Sequence, residues 1–561
     1  MRSSPFYQVV PPLQNTWRID TALQRHLERI LPPEALAAMT PGFESLGELA
    51  AGEMMELARD AEGQPPTLTH FDPWGRRTDT IHLSPGWHAI TRIAAEYGIV
   101  GSSYAAKHGW ASRVQNFVLL HLFSPSSAYV GCPLAMSDGA VATLKKYGEG
   151  EFKDRAIGHL TTEDPQEYWT SGQWMTEKEG GSDVGRSSTV ARLEEGVWRL
   201  YGTKWFTSAT TSQCAITLAR PEGAPEGSRG LSMFYVEPWN ADGSANGVRI
   251  LRLKDKLGTR ALPTAELELD GAVAIPVGPL EGGIRKITTV LNIARYYNTN
   301  AAVCAMARCT QLARGFARAR EAYGHALERL PLHVETLANL EAEYHGALAV
   351  GLRLAELLGK VENDVASEHE HAVWRILTPL AKLGTGKQVV RVASETLEAF
   401  GGAGYVEDTG IPVLLRDAQV LPIWEGTTNI LSLDTLRAMA KEHSFAPFIK
   451  DLHGRLNGLD GTAVAPLAAD VRAASARLVE YATSMADADD KHIQTGARGF
   501  ALSLYRTYAA ALLCEHAGWE LSKGHPARGL AAARRWIGSG LVDLVRADAD
   551  RLSDNAILLG D

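Results

Sequence analysis

The period of the hydrophobic pattern changes twice along this chain, and that constrains its fold more than any other feature. From Tyr168 to Ile284 apolar residues alternate with polar ones; before and after that segment they recur about every 3.6 residues. A helix-period segment does not settle as a strand, nor the reverse, so the order must be helical, then β, then helical. VARLEEGVWRLYGTKWFTSA, QCAITLARPE, GLSMFYVEP and GVRILRLKDKLGTRALPTAELELDG read as short strands separated by Gly, Pro and Asp turns. Upstream, Trp87 to Tyr97 and Ala105 to Leu122 read as helices, and His70 to Trp87 as a short hairpin or extended loop. Downstream come three long amphipathic helices, the last stopping at Gly401 and Gly402, then an Ala-rich helical stretch with breaks at Gly454 to Gly461 and Gly524 to Pro526. The predicted fold class is α+β multidomain. The predicted division is an amino-terminal extension and helical domain (1–165), a β domain (166–284), a helical bundle (285–440) and an additional helical domain (441–561).

Length and composition agree with several folded domains. At 561 residues with 45% hydrophobic and 22% charged side chains, three or four domains are expected. The net charge of −9 repels nucleic acid, so duplex binding would need a local basic patch. The amino terminus lacks an apolar run of signal-peptide length, and no uncharged apolar stretch reaches roughly 18 residues. A cytoplasmic protein without a membrane span is expected. Cys132, Cys214, Cys304, Cys309 and Cys514 are odd in number and scattered, so they are expected to be reduced and mostly buried.

Three apparent motifs fail on inspection. Gly402-Ala-Gly404 lacks the third glycine of a dinucleotide fingerprint and follows a helix. Leu383-Gly-Thr-Gly-Lys387-Gln388 lacks the first glycine of a phosphate loop and its magnesium-binding hydroxyl, and reads as a helix start with a solvated lysine. His369-Glu-His371 has no third ligand at useful spacing and reads as a solvated turn.

Two segments carry chemistry. Trp174 to Gly185 packs adjacent glycines, two hydroxyls and several backbone donors into one loop, which suits a phosphate or a flavin edge and equally suits an ordinary Gly-Ser turn. In Pro422-Ile-Trp-Glu-Gly-Thr-Thr-Asn-Ile430, Glu425 is an isolated carboxylate in apolar company. Burial there would raise its pKa and make it a usable base; the alternative is a helix-start carboxylate held near Thr427 and Thr428.

MTEKEGGSD, GTKWFTSA, LKDKLGTRALPTAELEL, ARAREAYG, FGGAGY and IWEGTTNI occur here in the order and approximate spacing of the acyl-CoA dehydrogenase family, over about residues 90 to 440. The chain resembles the adaptive-response AidB branch in particular, through the DxxGRRxD element (Asp72 to Asp79), Cys132-Pro133, MTEKEGGSDV and an extra carboxyl-terminal helical domain.

The resemblance implies an amino-terminal helical domain, a central β-barrel-like domain and a carboxyl-terminal four-helix bundle, with FAD between the last two. It implies that Met175, Thr176 and Ser182 meet the flavin ring and pyrophosphate, and that Trp205, Phe206 and Thr207 lie against the ring, with the Thr207 hydroxyl near N5. Arg320, in the element that includes Tyr323, matches the arginine reaching a neighbouring subunit's diphosphate; Gly401 and Gly402 match a second cross-subunit contact. Thr427 and Asn429 match cofactor contacts after the catalytic glutamate. A homodimer or homotetramer with shared FAD sites follows, with an acyl-CoA-like substrate and an external acceptor such as electron-transfer flavoprotein.

Glu425 matches the family's base, which removes an α-proton while the β-hydrogen leaves as hydride to flavin N5. Some members carry the base just before an arginine matching Arg295; that position here is Ala294. Trp424, Tyr323 and Glu398 depart from the residues common in the family, and Trp424 is expected to shorten the acyl slot. Two further functions stand beside the dehydrogenase: an FAD-containing stress-response protein that binds DNA, and an acyl-chain-binding protein with little turnover. Residues 441–561 carry 14 Lys and Arg against 15 Asp and Glu, slight grounds for duplex binding unless Arg528, Arg534 and Arg535 form a patch.

Overall fold

Period-two residues become a seven-stranded sheet. The computed structural model describes residues 13–485, 488–545 and 548–560; the amino-terminal segment 1–12, read above as carrying no leader, lies outside the described residues. The chain forms two compact units: one of Pro41–His108 with Gln115–Tyr297, the other of the residues up to Thr40, Gly109–Val114 and the chain from Asn298 onward.

In the first of these, a hairpin of β1 (Thr67–Phe71) and β2 (Arg77–His82) precedes the main sheet. The sheet comprises β3 (Ser171–Trp174), β4 (Val190–Glu194), β5 (Val197–Ser208), β6 (Cys214–Pro221), β7 (Ser232–Val236), β8 (Val248–Leu253) and β9 (Thr264–Pro276). Its order is β3-β6-β4-β5-β9-β7, and β6 also pairs with β7, so the strands from β6 round to β7 close into a barrel-like ring. Trp174, Leu200, Phe234, Val236, Ile250 and Leu267 fill it. The DxxGRRxD element fastens the hairpin to β8. Asp79 accepts from the Ile250 N–H (2.9 Å), Arg77 Nε and His70 Nδ1, while Arg77 Nη2 donates to the Ile250 carbonyl (2.8 Å).

The other unit is helical. Gly283–Ala319, which enters it at Asn298, is followed by Pro331–Glu362, Glu368–Ala399 and Thr428–Glu442. The appended stretch adds Phe445–Arg455, Ala465–Ser484, Asp490–Ser522, Arg528–Gly538 and Ala549–Leu559. Among the described residues no helix is long and apolar enough to cross a membrane, and the five cysteines are free thiols, four of them buried.

Three local readings need correction. The helix expected from Ala105 begins at Ala111, because Ala106 (φ +47°) and Gly109 (φ +55°) take left-handed backbone. The glycine pair at 384 and 386 lies in the middle of helix 368–399, not at a start, although Lys387 is exposed as expected. The His369–His371 stretch is the first turn of that helix, where Ser367 and Glu370 form a capping box.

Candidate active site

The residues singled out in the sequence divide between the units. In the barrel-bearing unit, β3 delivers Met175 and Thr176 into the loop that ends at Ser182 and Asp183. Glu177 holds this loop. Its carboxylate, almost wholly buried, receives the Lys204 ammonium at 2.7 Å, the Thr189 hydroxyl at 2.6 Å, and the Ser188 N–H and hydroxyl at 2.6 and 2.8 Å. Burial opposes ionisation of Glu177, but Lys204 and the Thr189 and Ser188 hydrogen bonds outweigh it and keep the carboxyl below its ordinary range. Lys204 is fully buried on β5, which lowers its pKa against the pull of Glu177, and it also donates to the Leu218 carbonyl.

One residue on, the Trp205 N–H donates to the Thr176 carbonyl at 2.8 Å, so the loop and the Trp205–Thr207 segment are bonded to each other. The pairing of β5 with β9 shifts register between Lys204 and Thr207. Such bulges re-aim side chains beside active sites. Phe206 accordingly stays 53% exposed, edge-on to Trp205, while Lys254 sits 3.5 Å above the Trp205 ring. Thr207 is buried and its hydroxyl donates to the Ala265 carbonyl (2.7 Å), which leaves its oxygen lone pairs for any further partner.

In the helical unit Glu425 is half-buried in the turn joining helix Ile411–Ala418 to helix 428–442, with φ +53°, followed by Gly426 at +103°. A non-glycine residue with left-handed backbone persists only where its surroundings hold it. Lys382, buried in helix 368–399, donates to the Gly426 carbonyl at 2.6 Å. Thr427 caps helix 428–442 without a side-chain capping bond and is exposed, as is Asn429.

Arg320 ends the 283–319 helix at a tight hairpin, Glu321–Ala322 paired with His325–Ala326. Its loop, Tyr323 and Gly324, has positive φ at both positions, a primed turn that leaves Tyr323 93% exposed. Phe316 stacks on Phe400 at 4.5 Å and ties this hairpin to the Gly401–Gly402 corner, where a Cβ at either glycine would meet nothing within 4 Å.

The Thr176–Ser182 loop has the chemistry to hold a dinucleotide-type cofactor. Exposed Ser182 and half-buried Thr176 flank Gly180 and Gly181, where an added Cβ would stand 2.4 Å from the Asp183 carbonyl and 3.3 Å from Thr176. The loop thus offers donors and no bulk, and Thr427 and the Gly401–Gly402 corner remain open.

Glu177, Lys204 and Lys382 were not singled out from the sequence. Lys204 had a legible signal, since in β5 it lies in phase with buried Leu200, where a lone ammonium requires a partner. No period marks Glu177 in its loop or Lys382 in its apolar helix.

Four family models match consecutive parts of the chain. They are the adaptive response protein AidB N-terminal domain (residues 10–164), the acyl-CoA dehydrogenase middle domain (172–272), the acyl-CoA dehydrogenase C-terminal domain (281–440) and the acyl-CoA dehydrogenase 11 C-terminal domain-like model (444–559). These matches are those of an FAD-dependent oxidoreductase. Acyl-CoA dehydrogenase family member 11 of Caenorhabditis elegans is 40% identical over 92% of this chain and 86% of its own. The putative acyl-CoA dehydrogenase AidB of Escherichia coli is 32% identical over 74% of this chain and 77% of its own. The crystal structure of C. elegans ACDH-11 in complex with C11-CoA superposes with a TM-score of 0.95 at 38% identity, covering 100% of this chain and 98% of that one. The chain belongs to the acyl-CoA dehydrogenase family, and within it joins an AidB-type amino-terminal domain to an ACDH-11-type carboxyl-terminal one.

Proposed function

We propose that this protein performs α,β-dehydrogenation of an acyl-CoA thioester, with Glu425 as the base that takes the α-proton. The observation that carries the reading is the Glu425 turn itself: a carboxylate on strained left-handed backbone, its following carbonyl clamped by buried Lys382. Bound FAD supplies the hydride acceptor. A thioester α-proton is too weakly acidic for a carboxylate in open water; a half-buried site narrows that gap, and a hydrogen bond from the Glu425 backbone N–H to the thioester oxygen would narrow it further. Thr176 and Ser182 bind the cofactor in the loop held by Glu177. Trp205 and Phe206, bonded to that loop, would lie beside the flavin, and Thr427 and Asn429 match the contacts that the family makes after its base. C11-CoA in the ACDH-11 complex supports an acyl-CoA substrate.

The exposed Tyr323 hairpin and the open Gly401–Gly402 corner support a homodimer or homotetramer in which Arg320 reaches a neighbour's cofactor. Electrons pass to an external carrier such as electron-transfer flavoprotein, in the cytoplasm. The DNA-binding alternative loses ground at its own patch. Arg528 donates to Glu341 and Thr21, and Arg535 to Glu335 and Asn339, so two of the three arginines spend their charge within the chain.

Anaerobic mixing of the FAD-loaded protein with a panel of acyl-CoAs tests the reading. Bleaching of the oxidised flavin band is expected with at least one chain length, and Glu425→Gln is expected to abolish it. Binding without bleaching across the panel would establish the acyl-chain-binding alternative.

A further inference from the structure

The Leu383-Gly-Thr-Gly-Lys387 stretch has no place in the chemistry above, yet two glycines inside a helix cost about 1 kcal/mol each and need a structural return. Spaced two apart, they face nearly opposite sides of helix 368–399. A Cβ at Gly386 would stand 3.1 Å from the Leu421 carbonyl and 3.3 Å from Pro422 Cα, the backbone leading into Glu425. A Cβ at Gly384 would stand 2.3 Å from Cγ of Tyr505, a fully buried ring on helix 490–522 of the appended domain. Tyr505 Oη donates to Gln388 Oε1 at 2.7 Å, and Gln388 Nε2 donates to the Glu343 carbonyl at 2.6 Å. Two turns of helix, from Lys382 to Gln388, therefore grip the turn that carries Glu425 on one side and the appended domain on the other. The appended helix also reaches the motif directly, because Arg498 Nη1 lies 3.3 Å from Asn429 Oδ1.

We propose that the appended carboxyl-terminal domain is a positioning element of the active site. Tyr505, seated in the Gly384 notch, and Arg498, on Asn429, set the place of the turn that carries Glu425. The inference rests on Glu425 being the base. Tyr505 touches no reacting atom; it acts through helix 368–399 and its Lys382 clamp. Movement of a base by about 1 Å is enough for a 100-fold loss in rate.

The test is stopped-flow flavin reduction by a saturating acyl-CoA, on FAD-loaded full-length protein. Tyr505→Ala should lower the reduction rate about tenfold, with unchanged FAD content and acyl-CoA Kd and an increased α-deuterium isotope effect, as expected when a base is misplaced. Gly384→Ala should also impair reduction, and the Gly384→Ala/Tyr505→Ala pair should recover part of the rate, because the added methyl occupies vacated space. Leu459→Ala loosens the same domain elsewhere, where Leu459 packs on Gly518 towards the far end of helix 490–522, and should leave the rate unchanged. Equal loss of rate in Leu459→Ala and Tyr505→Ala, or a wild-type rate in Tyr505→Ala, overturns the proposal. If Tyr505→Ala fails to retain FAD, Tyr505→Phe decides: it keeps the ring, loses the Gln388 bond, and should slow reduction two- to fivefold, whereas a wild-type rate overturns the proposal. Glu425→Gln separates the two readings. If it reduces its flavin normally, the base assignment has failed, whatever Tyr505 does.

Discussion

Removing either member of the Glu177–Lys204 pair should not cost the same. Lys204 is fully buried and has two partners, Glu177 and the Leu218 carbonyl. Glu177→Gln leaves its ammonium in the barrel with neutral acceptors alone, the Leu218 carbonyl and the new amide oxygen, and no counter-charge. Breaking a buried pair in this way costs about 3–5 kcal/mol, chiefly from the uncompensated charge. Lys204→Met leaves the Glu177 carboxylate with the Thr189 hydroxyl at 2.6 Å and the Ser188 N–H and hydroxyl at 2.6 and 2.8 Å, so the loss should be about 1–3 kcal/mol. The double variant removes both charges and should fall about 2 kcal/mol short of the sum. Guanidinium unfolding followed by tryptophan fluorescence gives the stabilities, and flavin release in the same titration reports the loop. The order in FAD affinity should follow the order in stability, because Glu177 holds the Thr176–Ser182 loop. Equal costs for the two single variants, or additivity within about 0.5 kcal/mol, would refute the reasoning.

Other outcomes follow from the same geometry. His26 and His516 stack at 3.6 Å in the helical unit; burial first, then mutual repulsion and Arg29, hold the His26 pKa well below 6.5, and burial holds that of nearby His345 at about 4. Such depressed histidines leave stability intact above pH 6.5 and remove it as pH falls, because the unfolded chain takes protons that the folded one refuses. For His345 the loss at pH 5 is about 2 kcal/mol, and a pH series of Tm values checks the slope. Gly346→Ala places a methyl 2.4 Å from Trp536 Cζ3 and should cost about 1–3 kcal/mol in thermal unfolding, part of it regained in Gly346→Ala/Trp536→Leu. A salt titration in an electrophoretic mobility assay should show no salt-sensitive duplex binding. Tight binding with a steep salt slope would revive the DNA reading.

The order of elements was legible because it depends on local period alone. The strands expected within 190–209, 213–222, 230–238 and 247–271 form there, the last running on to Pro276, since alternation needs only a buried and a wet face; the short strand Ser171–Trp174 was not among them. Motif order likewise placed Glu425 and the Thr176–Ser182 loop. What local sequence does not encode is which residue meets which across hundreds of positions. Gly384 and Gly386 read as a degraded phosphate loop or a helix start, because a glycine in a sequence announces only the lack of a side chain. Tyr505 and the Leu421–Pro422 backbone, which fill those spaces, appear only when helices 368–399 and 490–522 pack. The same holds for Glu177, which reads as solvated, and for the partner of Lys204, whose phase on β5 signals burial only; the barrel's closure makes each the other's main electrostatic partner. Sequence alone thus determined the kinds of element and their order and singled out the candidate carboxylate, all local properties of the chain. Tertiary structure decided what holds that carboxylate and the flavin loop in place, because close packing and buried charge pairing exist only between segments far apart in sequence.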